Sequence, residues 1–74
     1  MRRSEIEVGK TYHNVSKPPF YAERKVTAIF NTVTGKHVRF DTITGPLSHY
    51  EHEGYPDGEM MLEAFARWAA GIVE

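Results

Sequence analysis

The stretch LEAFARWAAGIVE, residues 62–74, decides how the rest of this chain must fold. On a helical wheel that includes Met61, the apolar residues Met61, Leu62, Phe65, Ala66, Trp68, Ala69, Ile72 and Val73 fall in one continuous arc. Glu63, Arg67, Gly71 and Glu74 take the other side, and Glu63 precedes Arg67 by four residues, the favourable order for a helical ion pair. So short a helix is marginal alone, because nucleation is costly. It must dock on something else, and the preceding residues say what.

The chain has 74 residues, enough for one domain near the lower size at which a single core suffices. There is no cysteine, which excludes disulfides, thiolate metal sites and thiol nucleophiles. Packing alone must therefore stabilise the fold. The opening MRRSEIEV lacks the apolar run of a signal peptide, and no stretch approaches the ~18 apolar residues of a membrane helix. A soluble, cytoplasmic protein with no membrane association is the expectation. Residues 1–40 carry eight Lys/Arg against three Glu, and residues 41–74 one Arg against seven Asp/Glu. That asymmetry suits a basic nucleic-acid face or an acidic partner surface. In a one-core domain, interleaving of the two halves on folding is the simpler expectation.

Ile6 and Val8 alternate with Glu5 and Glu7, as in a half-buried strand or its lead-in, and 11–15 resumes with residues that suit strands. Residues 16–21 (SKPPFY) read as a loop, because two prolines remove backbone donors and favour an extended course. In 24–30, Val26, Ala28 and Phe30 share one face of a strand while Ile29 falls on the polar side. Residues 31–36 form a turn. From His37 to Asp41, Val38 and Phe40 point inward, with His37, Arg39 and Asp41 outward. Asn31-Thr-Val-Thr-Gly35 is echoed by Asp41-Thr-Ile-Thr-Gly45, the spacing of a meander of short strands. Residues 47–53 read as an edge strand, 54–58 as a turn, and 59–61 as a last short strand. Four to five antiparallel strands followed by one helix predict a small β-barrel with the helix packed on it.

The spacings Val8-Gly9-x-x-Tyr12, Arg24-x-Val26-x-x-Ile29 and Val38-x-Phe40, closing with Leu62-x-x-Phe65-Ala66-x-Trp68-Ala69, resemble a group of small bacterial and prophage-encoded proteins. Those proteins have a Src-homology-3-like (SH3-like) barrel. The resemblance spans most of the chain and implies a mainly β (α+β) fold, a single SH3-like barrel over residues 1–74 with a C-terminal amphipathic helix. It brings no activity and no site residues with it.

No catalytic constellation emerges. His49 and His52 are three apart, so on a strand they point to opposite faces, and a third ligand such as His37 would have to come from elsewhere. Neither a metal nor another cofactor is expected. Glu51 and Glu53 share a strand face about 7 Å apart, but only burial or close like charge would separate their pKa values. Ser48 and His49 are adjacent and point apart, and Thr34-Gly35-Lys36 lacks the rest of a phosphate-binding loop. A non-enzymatic protein is the expectation.

Binding readings fare better. Phe20 and Tyr21, with Arg24 and Lys25 close behind and Tyr55 nearby, suit a groove for another protein, since interface centres favour aromatics and Arg. The same residues, with Arg2, Arg3, Lys10, Lys36 and Arg39, suit instead a nucleic-acid backbone, with Phe20 or Tyr21 stacking on a base. An acidic decoy surface from Glu51, Glu53, Asp57, Glu59 and Glu63 is a third reading. The leading expectation is a protein-binding barrel, as a monomer or weak dimer; the resemblance suggests an accessory protein of phage or prophage origin. Trp68, Phe65 and Tyr12 are assigned to the core.

Overall fold

The computed structural model describes residues 1–45 and 58–73. A 3₁₀ turn at Arg3–Glu5 leads to strand β1 (Thr11–His13), then β2 (Glu23–Thr32) and β3 (Gly35–Thr44). Strand β4 (Glu59–Met61) runs directly into helix α1 (Leu62–Trp68), and β5 (Gly71–Ile72) follows. The strands form one antiparallel sheet in the order β4-β3-β2-β1-β5. Among the described residues the fold is mainly β with one short α-helix near the C-terminus, as the periodicity predicts. Closure into a barrel is not: among the described residues the edge strands β4 and β5 do not pair. Helix α1 connects those two edges and covers the concave face between them. The predicted edge strand 47–53, the turn residues 54–57, and with them His49, His52, Glu51, Glu53 and Tyr55, lie outside the described residues.

Two irregularities curl the sheet. Val26 faces Phe40 and Ala28 faces Arg39, so Thr27 is an extra residue on β2; Ile43 is a second, on β3. Such bulges bend the strand and increase its twist. The first explains why Ile29 broke the alternation. Beyond Thr27 the phase shifts by one, placing Ile29 opposite inward Val38 and moving Phe30 to the outer face opposite His37.

The core gathers Tyr12, Val26, Val38, Phe40, Met60, Leu62 and Phe65, with Ile6, Ala66 and Ala69 completing it. Phe65 sits at its centre, edge-on to Tyr12 at 5.6 Å and tilted against Phe40 at 5.6 Å and Trp68 at 5.2 Å. One helical residue thus contacts β1, β3 and its own next turn, which is why the helix is ordered despite its length.

Sequence and structure differ at both termini. The helical arc predicted to reach the end of the chain stops at Trp68, and Ala69 is already extended. Gly71 disfavours continuation, and β-branched Ile72 and Val73 suit a strand. Pairing with β1 then satisfies the freed donors: Ala70 N–H reaches His13 O at 2.7 Å and Val73 N–H reaches Thr11 O at 2.9 Å. Ile72 is consequently left on the surface. At the other end, Ile6 is buried but 5–8 form no strand. The Tyr12 hydroxyl takes the place of a strand partner, donating to Glu5 O at 2.8 Å and accepting from Glu7 N–H at 2.7 Å.

Candidate functional site

The predicted binding residues separate into three environments. Phe20 and Tyr21 stand together in the loop between β1 and β2. That loop is clamped at its foot by Asn14, whose amide donates to Phe20 O at 3.0 Å and accepts from Ala22 N–H at 3.1 Å. Further along, Lys17 O accepts from the N–H groups of Phe20 at 2.8 Å and Tyr21 at 3.1 Å. The Phe20 backbone is therefore bonded on both sides while the residue is 69% exposed. Val15 in the same loop is 85% exposed. Tyr21 turns back towards the sheet, stacking on the His13 imidazole (centroids 6.2 Å apart, planes at 26°) and donating to Glu23 Oε2 at 2.7 Å. That bond to a carboxylate, then partial burial, hold the phenol's pKa above its ordinary 10.0.

Gly45 supports the loop from β3. Its φ of +95° suits glycine, and a Cβ there would stand 2.2 Å from Tyr21 O and 2.8 Å from the Ala22 side chain. Asn14 and Gly45 escaped the sequence reading. The asparagine lies just before the Pro-containing loop, and the glycine ends the second Thr-x-Thr-Gly echo; those were the available signals.

Arg24 is elsewhere. Being two residues from Val26, it shares the inward face, and it is only 6% exposed. Its guanidinium lies between two rings, 4.3 Å from the Trp68 centroid and 4.8 Å from that of Phe40, with the Met60 sulfur 3.8 Å from Nη1. It belongs to the core edge and is not presented with Phe20. Lys25 is exposed on the outer face, opposite Asp41 and Thr11.

Arg39 belongs to a third group on the outer face of β2, β3 and β4. It donates to Glu59 Oε1 at 3.3 Å and covers the Phe30 ring at 5.2 Å. The other Glu59 oxygen accepts from His37 Nδ1 at 3.2 Å, and His37 Nε2 meets the Thr34 hydroxyl at 3.0 Å. His37, predicted outward, does face outward, yet it is only 4% exposed beneath these neighbours. Hydroxyl, imidazole and carboxylate stand here in the order used by nucleophilic triads. Yet Thr34 Oγ1 also bonds Thr32 Oγ1 at 3.0 Å, and Glu59 is shared with Arg39. The connectivity ties the hairpin tip to β4. These pairs also join basic residues of the first half to an acid of the second, the interleaving expected from the charge pattern.

Among the described residues no cluster of His, Asp or Glu is arranged to hold a metal, and no helix is long and apolar enough to cross a membrane. Compared with known proteins, the chain matches no family model, no curated protein and no solved structure.

Proposed function

We propose that this chain is a protein-interaction module whose contact centre is Phe20, with Val15 beside it in the loop and Lys17 supplying a cation. The observation that carries this reading is an exposed phenylalanine on a backbone hydrogen-bonded at both ends. A large apolar side chain held out in water gains nothing for the fold, whereas a loop already fixed in its bound shape loses little entropy on docking. Tyr21 serves as a buttress through His13 and Glu23 instead of as a second anchor. Arg24 stabilises the core edge, and Arg39 the outer face.

The competing electrostatic readings draw on fewer residues than the sequence offered. Arg24 is withdrawn from the basic surface, Arg39 is paired with Glu59, and Lys10 with Glu7. Of the acidic set, Glu59 is engaged by His37 and Arg39, and Glu63 lies 3.6 Å from Arg67. A non-enzymatic role fits a loop that presents contact area and no reacting group.

The test compares two exposed apolar positions. Proteins retained by immobilised wild-type chain and by a Val33→Ser variant, but lost with Phe20→Ser, support the reading. Val33 is fully exposed at the β2–β3 turn, far along the chain from the loop. Retention that is indifferent to Phe20, or that collapses steeply with salt in the manner of phosphate-backbone binding, refutes it.

A further inference from the structure

A second concavity lies apart from the Phe20 loop, where the N-terminal turn, the β2–β3 hairpin and the β4–α1 junction meet. It is half open to solvent, has a volume of about 470 Å³, and is lined by Arg3 and Ser4 of the N-terminal turn, Lys36 of the hairpin, and Met61, Leu62 and Glu63 of the β4–α1 junction. That volume falls within the range of small-molecule sites. A shallower depression continues from it along α1 past Arg2 and Arg67.

The charges around it are unevenly satisfied. Arg3 and Lys36 come from segments more than thirty residues apart, yet they face one cleft, and neither forms an ion pair among the described residues. Glu63, the acid on the rim, is matched by Arg67 at 3.6 Å. Glu5, the other nearby acid, accepts from the Arg2 backbone N–H at 2.8 Å and does not line the cleft. The cleft lining therefore offers two cations unpaired among the described residues against one acid already engaged by Arg67 outside it, a hydroxyl from Ser4, and apolar surface from half-buried Met61 and the edge of Leu62.

From this juxtaposition we infer that the cleft binds a small phosphomonoester carrying an apolar or ring-shaped body. A dianionic phosphate, doubly ionised near neutral pH, matches two cations lining one cleft. A purely apolar ligand would leave both cations without a counter-charge, and an inorganic anion would leave the Met61 and Leu62 surface wet. The site is independent of the Phe20 reading and survives or fails without it.

Phenyl phosphate is the probe, titrated into the ¹⁵N-labelled full chain. Saturable shifts confined to the amides of residues 3–4, 35–36 and 62–63 are expected at low-millimolar probe. Phenol should give none, and inorganic phosphate should bind more weakly. Arg3→Gln and Lys36→Gln should each weaken binding about tenfold, or about 1.4 kcal/mol. Glu63→Gln should tighten it, because the acid on the rim is removed and Arg67 is released; a merely structural role for Glu63 predicts no such gain. All three side chains are exposed, so thermal melts should confirm intact folds. Absence of saturable shifts overturns the inference. So do shifts that spread equally to Lys17, Lys25 and Arg39, or an oligonucleotide binding more tightly than phenyl phosphate with contacts across β2.

Discussion

Phe65 and Phe20 are the same residue type at opposite extremes of burial, and replacing each by alanine separates core from contact surface. Phe65 is fully buried, with three aromatic neighbours whose centroids lie within 5.6 Å. Phenylalanine-to-alanine changes in cores cost roughly 3–5 kcal/mol, and favourable aromatic pairs put this site in the upper half of that range, about 4–5. A domain of 74 residues has about 4–11 kcal/mol in total, at roughly 0.05–0.15 per residue. Phe65→Ala should therefore be close to unfolded at ambient temperature. Phe65→Leu, which keeps most of the volume, should lose roughly 1–1.5 kcal/mol. Phe20→Ala should stay within about 0.5 kcal/mol of wild type, since its ring is mostly in water already. Urea unfolding followed by the emission of Trp68, 5.2 Å from Phe65, and in parallel by far-UV circular dichroism measures all three. A Phe65→Ala cost below about 2 kcal/mol would show that the helix does not fasten the sheet's concave face. A comparable cost at Phe20 would return that ring to the core and remove the proposed contact centre.

Trp68→Ala should cost roughly 2–3 kcal/mol, less than Phe65→Ala, because the indole is only partly buried; chemical denaturation ranks the two directly. Arg24→Lys should lose about 1–2 kcal/mol despite the conserved charge, since an ammonium cannot stack flat between the Phe40 and Trp68 rings, and equality with wild type in the same assay would contradict this. Gly45→Ala should destabilise by more than about 3 kcal/mol, combining a positive φ with a clash on Tyr21 O, whereas Gly35→Ala, with open space around it, should pay only the backbone term of about 1–2; thermal melts compare them. The Tyr21 phenol should ionise above 10.0, and Glu23→Gln should lower it, as read from the difference between wild-type and Tyr21→Phe absorbance titrations. Because the folded-state value is the raised one, the Tyr21–Glu23 contribution to loop order is complete below 10.0 and is lost as pH rises through the raised value.

Much of the fold was legible because alternation is a local property. Val38 and Phe40 inward and the docked face of residues 62–69 follow from side-chain period, the loop at 16–21 from its prolines and the short strand at 59–61 from the turn before it, and all stand in the structure. The helix end was not legible. The apolar arc continues through Ile72 and Val73, and periodicity cannot tell a helix's last turn from a strand that begins with the same residues. What decides is a distant partner, the open edge of β1, which accepts Gly71 and Ile72 where a Cβ at 71 would meet the His13 ring at 2.8 Å. The phase shift at Thr27 is likewise a property of the β2–β3 pair and not of either strand alone.

The candidate site was less legible, for a reason Arg24 and His37 share. Alternation placed His37 outward, out of phase with Val38, as the structure has it; Arg24 was offered only as a binding residue, although its phase with Val26 puts it on the inward face. The error lay in converting face into exposure through residue type. A guanidinium on the inward face needs flat, polarisable neighbours, and the edge of this core supplies two rings. An imidazole on the outward face becomes buried once Phe30, shifted there by the bulge, packs beside it and its two nitrogens bond Thr34 and Glu59. Both outcomes depend on what lies across the strand, which a single strand's sequence does not encode. Phe20 is the converse. Its neighbours along the chain, two prolines and a tyrosine, predict a loop but leave open whether the ring folds back onto the core, and the structure decides it: the loop backbone is hydrogen-bonded and the residue stands 69% exposed, open to a partner.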